Sequence, residues 1–322
     1  MNGPVSSLSG RAAARAALCV TALVALCALA LVPAASARRA PAASTPAPAI
    51  AFIKDGHVWT VSPDGSGSTQ LTAGKVSDRA PAWSPDHATV AFVRPGAHFR
   101  TSSIYTVPAA GGRARLLYKD RLAEARWIWV TGLAYSPDGA KLAFADVYHV
   151  KNYADVRARL VILDIASGRT SVMLKKKGGF GRSVLTDWRL AWSPDGSVIL
   201  ISEETEMMEG GGTWVYTISS GATKAIPVPQ ASTADWAPDS RSVLLSVSTP
   251  DKTTIEQTKL DGTVICTLAT GGGWWDDDDC VYTAYYSPDG TQVVYETSDA
   301  LWIMGADGTG KHKVTAGYTP AW

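Results

Sequence analysis

One six-residue phrase recurs along the chain and governs what it can fold into. Ala82-Trp83-Ser84-Pro85-Asp86-His87 returns as Ala134-Tyr135-Ser136-Pro137-Asp138-Gly139, Ala191-Trp192-Ser193-Pro194-Asp195-Gly196, Asp235-Trp236-Ala237-Pro238-Asp239-Ser240 and Tyr285-Tyr286-Ser287-Pro288-Asp289-Gly290. Each copy has the chemistry of a tight turn. Proline presets φ at the first central position, aspartate suits the second, and glycine accepts the left-handed position beyond. His87 and Ser240 replace that glycine, so those two turns must hold a side chain at positive φ.

A β-rich second run follows every turn: Thr89 to Val93, Lys141 to Ala145, Val198 to Ser202, Val243 to Val247 and Gln292 to Tyr295. Third runs follow at Ser103 to Val107, Leu160 to Ile165, Thr213 to Ile218, Thr254 to Leu260 and Ala300 to Met304. A glycine-containing turn then leads to a fourth, as in Ala110-Gly111-Gly112-Arg113 before Ala114 to Tyr118. Four antiparallel strands per repeat make the blade of a β-propeller. The ends set the blade number. Ile50 opens directly in a second strand, while Thr319-Pro320-Ala321-Trp322 matches Ala80-Pro81-Ala82-Trp83 and is a first strand without its blade. The expected fold is all-β, a six-bladed propeller of four-stranded antiparallel blades over residues 50–322. The C-terminal strand is expected to close the ring on the N-terminal blade, leaving no open edge at the seam.

The tandem Trp-Ser-Pro-Asp-Gly turns, with aromatic third strands such as Val58-Trp59-Thr60-Val61 and Ile104-Tyr105-Thr106-Val107, resemble the repeat of TolB-like propellers, also described as PD40 or WD40-like. The resemblance covers residues 50–322. It implies the fold and leaves the role open, because such blades occur in periplasmic adaptors, peptidase gating domains and lyases. TolB proteins of the Tol system carry an α/β domain before the propeller. Here a 12-residue tether, residues 38–49, stands in its place, which speaks against a Tol-Pal role.

Arg11 and Arg15 precede an apolar stretch ending in Ala35-Ser36-Ala37, so residues 1–37 are expected to be a signal peptide cleaved after Ala37. Left uncleaved, the same segment would anchor the chain to a membrane. Residues 38–49, rich in Pro and Ala, read as a linker. Expected localisation is therefore exported: secreted, periplasmic or envelope-associated. Without residues 1–37 the chain holds 28 basic and 29 acidic residues, a balance that excludes nucleic acid as a partner. Lys175-Lys176-Lys177 reads as a solvated loop. Cys266 and Cys280, the two cysteines left after cleavage, form an even pair in an oxidising compartment and are expected to be a disulfide.

The connections between second and third strands and between blades, Asp146 to Arg159 among them, carry nearly all the length variation, and variable loops on a rigid scaffold are where recognition usually lives. That long-loop face holds the ligand-binding candidates Trp127, Trp129, His149, Tyr153, Trp274 and Trp275. Aromatic side chains offer large contact area with few rotors to freeze. Asp235 interrupts a row of alanines beside the axis and needs a partner, with Arg189 or Arg79 as candidates, or a ligand in their place. Asp276-Asp277-Asp278-Asp279 is a solvated acidic loop whose Asp276 and Asp278 are weak candidates for Ca²⁺, with no other cofactor expected. There is no Gly-x-Ser-x-Gly elbow and no His-x-x-x-His spacing. The chain reads as a monomeric, non-catalytic module that binds a protein or a cell-envelope glycan. The alternative is a polysaccharide lyase or hydrolase with its site at the channel mouth.

Overall fold

The computed structural model describes residues 49–120, 122–152, 155–177, 186–205, 212–273 and 280–322. The leader and all but the last residue of the tether lie outside these, as do Tyr153, Trp274, Trp275, Asp276 and Asp278.

The described chain runs β1 (Ile50–Lys54), β2 (His57–Val61), β3 (Thr69–Gln70), β4 (Arg79–Trp83), β5 (Thr89–Pro95), β6 (Ser102–Pro108), β7 (Arg115–Asp120), β8 (Trp127–Tyr135), β9 (Lys141–His149), β10 (Val156–Asp164), β11 (Thr170–Lys177) and β12 (Thr186–Trp192). It continues with β13 (Val198–Thr205), β14 (Gly212–Thr217), β15 (Thr223–Ile226), β16 (Ala231–Trp236), β17 (Ser242–Ser248), β18 (Thr253–Lys259), β19 (Val264–Gly271), β20 (Val281–Tyr286), β21 (Gln292–Thr297), β22 (Leu301–Gly305), β23 (His312–Thr315) and β24 (Tyr318–Ala321). These form six four-stranded antiparallel sheets, five of them consecutive in sequence and the sixth ordered β24-β1-β2-β3. The ring closes as expected, with Ala321 opposite Ala51 and Tyr318 opposite Ile53.

The second strands are buried on both faces because each blade is covered by its two neighbours, and they read accordingly as continuous apolar runs. Ile50 to Ile53, Val90 to Val93, Leu142 to Ala145, Ile199 to Ile201 and Val243 to Leu245 are all buried. The core therefore lies between blades rather than inside any one of them. One cluster joins Ala143, Leu160 and Ile162 of the third blade to Trp188, Leu190 and Ile199 of the fourth.

The turns hold by a repeated clamp. Ser84, Ser136, Ser193 and Ser287 donate their hydroxyls to Asp86, Asp138, Asp195 and Asp289 at 2.5–2.6 Å. Those bonds hold the four carboxyl groups below the ordinary aspartate range. His87 and Ser240 sit at φ 53° and 54°, as their turns demand.

Two expectations are corrected. Asp146 to Arg159 is not one long loop, since β9 runs to His149 and β10 starts at Val156, in unbroken register. Asp146 pairs directly across from Arg159, and this ion pair lets a charged stretch continue as buried strand. Lys175-Lys176-Lys177 is likewise the end of β11 rather than a loop, with Lys176 Nζ 5.2 Å from the Trp214 ring.

Candidate functional site: the channel and its long-loop mouth

The innermost strand of each blade, β4, β8, β12, β16, β20 or β24, ends its sheet and faces the axis. Together they line a cavity of about 530 Å³. Its wall combines Ala80, Ala82, Ala134, Ala191 and Ala321 with the polar side chains of Arg79, Arg189, Asp235 and Tyr285.

Of the alternatives open for Asp235, pairing with Arg189 or Arg79 is not the one found. Its carboxylate accepts from the backbone N–H of Trp236 and, across the blade boundary, from that of Tyr286, both at 2.9 Å. Burial raises its pKa to about 6 against those two bonds, which pull it down. Arg189 bonds instead to the hydroxyl of Tyr285. Arg189 stands on an inner strand, β12, that keeps regular register, whereas β4, β8, β16, β20 and β24 all contain register shifts.

The Asp235 shift has a testable sign. A carboxyl whose folded pKa is raised from 3.8 to about 6 favours folding in its protonated form. Stability is therefore lost as pH rises from about 4 to 6 and is level above that. Two pKa units correspond to about 3 kcal/mol, which water in the cavity would reduce. Asp235→Asn forfeits one backbone bond, about 1 kcal/mol, but removes the slope. Urea unfolding of both proteins at pH 4 and pH 7 measures this, and equal pH dependence in the two would refute it.

At the mouth, Trp127 and Trp129 stand two residues apart on β8, both half-buried. His149, expected on an exposed loop, is fully buried. It pairs across strands with Trp127, and its ring meets the Trp127 and Trp129 indoles edge-on at 6.1 and 5.3 Å. Its role is to seat them. Phe99 lies 5.6 Å from Trp129, carried by a short 3-10 turn, Ala97–Phe99, in which His98 and Phe99 both sit at φ 54°. Two consecutive left-handed residues with side chains cost on the order of 1 kcal/mol or more each, and docking of Phe99 against Trp129 helps hold them there. Arg79 lies 6.0 Å over Phe99 and Arg126 lies 4.7 Å over Trp127. The result is one contiguous run, Arg79, Phe99, Trp129, His149, Trp127, Arg126, leading from the cavity outward. Arg126 was not foreseen, because nothing in the sequence ties it to Trp127 beyond adjacency.

Tyr148, another aromatic of that stretch, is committed to packing: its hydroxyl donates to Glu124 at 3.1 Å and Arg159 lies over its ring. The expected Cys266–Cys280 disulfide is not formed. Cys266 is exposed on the outer strand β19 and points its thiol at Gln257, while Cys280 is buried just before the inner strand β20 and donates to the carbonyls of Gly272 and Gly273. Outer and inner strands of neighbouring blades do not bring these two thiols together. Among the described residues no group of three or more His, Cys, Asp or Glu is placed to hold a metal ion. None of their helices is long and apolar enough to cross a membrane.

No protein-family model matches the sequence. No curated protein matches it either. Solved structures do match in shape. TolB of Acinetobacter baumannii aligns with a TM-score of 0.64 at 18% identity, over 85% of this chain and 66% of that one. This chain thus spans just under two thirds of that protein. A TolB-type protein of Agrobacterium tumefaciens aligns with a TM-score of 0.58 at 17% identity, over 83% and 88% of the two chains. An oligogalacturonate lyase solved with manganese aligns with a TM-score of 0.55 at 16% identity, over 81% and 70%. At these identities the likeness is one of architecture, and the chain carries the six-bladed, TolB-like propeller fold.

Proposed function

We propose that the chain is an exported, non-catalytic module that grips a protein or cell-envelope polymer at the long-loop mouth of its channel. The observation that supports this is the run of rings from Phe99 to Trp127 with a guanidinium at each end, Arg79 and Arg126, beside a cavity large enough for a ligand. Flat ring area and guanidinium donors on a rigid support are the features of a binding anchor. Among the described residues, two acids of this region are engaged, Asp78 with Arg94 and Asp146 with Arg159.

The test is a pull-down with residues 38–322, comparing wild type with Trp129→Ala. Loss of tenfold or more in affinity for the captured partner, with an unchanged thermal midpoint, supports the reading; full retention overturns it. A second reading, lyase or hydrolase, draws on the likeness to the oligogalacturonate lyase and on Asp235, Arg189 and Tyr285 sharing one cavity. Degradation of acidic glycans that is lost in Asp235→Asn and Tyr285→Phe would establish it in place of the first.

A further inference from the structure

Each blade ends outward in a strand with no neighbour on its far side among the described residues: β3, β7, β11, β15, β19 and β23. Such an edge is a template for another chain, and proteins usually blunt it with charge or keep it short. Five of the six are blunted in this way. β3 has two residues, β7 carries Arg115 and Lys119, β11 ends in Lys175-Lys176-Lys177, β15 carries Lys224, and β23 carries His312 and Lys313. The exception is β19, whose eight residues, Val-Ile-Cys-Thr-Leu-Ala-Thr-Gly, carry no charge. Its first four residues are exposed, Val264 by 48% and Ile265 by 49%.

We infer that β19 is a self-association edge, on which a second copy of the chain pairs antiparallel through Val264 to Thr267. A two-fold pair must be self-complementary, with one residue facing its own copy on the axis. Placed at Cys266, the axis sets Ile265 of each copy against Thr267 of the other, both β-branched and suited to cross-strand pairing. Asp261 and Lys259, the charges just before β19, then fall toward Gly271 of the second copy rather than toward each other. Cysteine is the residue that gains a covalent bond by meeting itself, and Cys266 is exposed and unbridged.

The pairing stretch is short. β19 meets β18 through two register shifts, which twist the edge, and Leu268 and Ala269 beyond it are buried. Four exposed residues a side bury well under the roughly 1,200 Å² of a standard interface, so the reduced pair is weak, with a dissociation constant on the order of 0.1 mM. Oxidised glutathione makes it permanent. One Cys266 thiolate attacks that disulfide and releases one reduced glutathione; the Cys266 thiolate of the second copy then displaces the other, and the protons of the two thiols end on the two glutathiones.

The experiment is sedimentation equilibrium of residues 38–322 under reductant, from about 1 µM to about 1 mM. Wild type and Cys266→Ser should associate alike. Ile265→Lys and, independently, Thr267→Lys should each weaken association about tenfold or more at an unchanged thermal midpoint, because a lysine blunts the edge. Val172→Lys makes the same change at an exposed position on the β11 edge and should leave association intact. With oxidised glutathione, wild type should become a dimer whose peptide map joins Cys266 to Cys266, while Ile265→Lys stops at the glutathione adduct. A wild type that stays monomeric throughout, association that survives both lysine variants or falls equally in Val172→Lys, or a dimer bridged through Cys280 overturns the inference. So does a monomer that captures a different protein and releases it on Ile265→Lys, which gives the edge to a foreign strand.

Discussion

Arg159→Ala should destabilise the propeller by about 3–5 kcal/mol, the usual loss when one partner of a buried ion pair is removed. Asp146 is fully buried, and Arg159 Nε reaches both its oxygens, at 2.8 and 3.0 Å, with Nη2 closing the fork. Without the guanidinium, a carboxylate with 0% exposure must either ionise without that counter-charge or take up a proton. The pair joins β9 to β10, the hairpin that ends in His149 and so seats Trp127 and Trp129. Loss of partner binding should therefore accompany loss of stability. The double variant Asp146→Leu/Arg159→Leu should recover most of the stability, because replacing both charges removes the desolvation cost as well. Urea unfolding of the three proteins checks this. If the single variant unfolds at the wild-type midpoint, the pair is solvated and the argument fails.

Gly132→Ala carries the second large effect, about 3 kcal/mol or more. Gly132 sits at φ 52°, and a Cβ there would lie 2.3 Å from the Trp188 carbonyl oxygen and 3.1 Å from Arg189 Cα. Both obstacles are backbone of the next blade, so neither can rotate away. The substitution adds on the order of 1 kcal/mol for the left-handed conformation to overpacking worth roughly 1–3 kcal/mol. Gly310→Ala is the control: at φ 66° with open space around it, it should show the conformational cost alone. Because the wedge presses on β12, Gly132→Ala should also displace the backbone that carries Arg189. Equal urea midpoints for Gly132→Ala and Gly310→Ala would show that the blades separate without cost.

The legible part of this protein is the part written in local chemistry. Pro85, Pro137, Pro194, Pro238 and Pro288 set their turns whatever surrounds them, and even the substituted His87 and Ser240 adopt the left-handed φ that the turn requires. Apolar runs such as Val90 to Val93 declare strands covered on both faces. Matching Ala321-Trp322 to Ala82-Trp83 was enough to place the closing strand beside β1. What misled was charge inside a strand. Asp146 and Arg159 read as loop residues until the hairpin sets them opposite each other, and His149 read as exposed until two indoles cover it.

The site itself needed the third dimension. Trp127 and Trp129 were visible as candidates, but Phe99 reaches Trp129 from the preceding blade, and Arg79 reaches Phe99 from across that blade. Asp235 was visible as an exception, yet its partner proved to be the backbone of Tyr286, 51 residues on, while Arg189 turned to Tyr285. Bulges decide such matters. A single shift in register changes which side chains face the axis, and five of the six inner strands contain one while β12 does not. The sequence by itself determined six blades, their strands and their closure, because each depends on turn geometry and burial pattern within a few residues. Only the tertiary structure decided which rings and charges meet in the channel, and that Cys266 and Cys280 do not meet at all, because those distances depend on how neighbouring blades rotate and slip against one another.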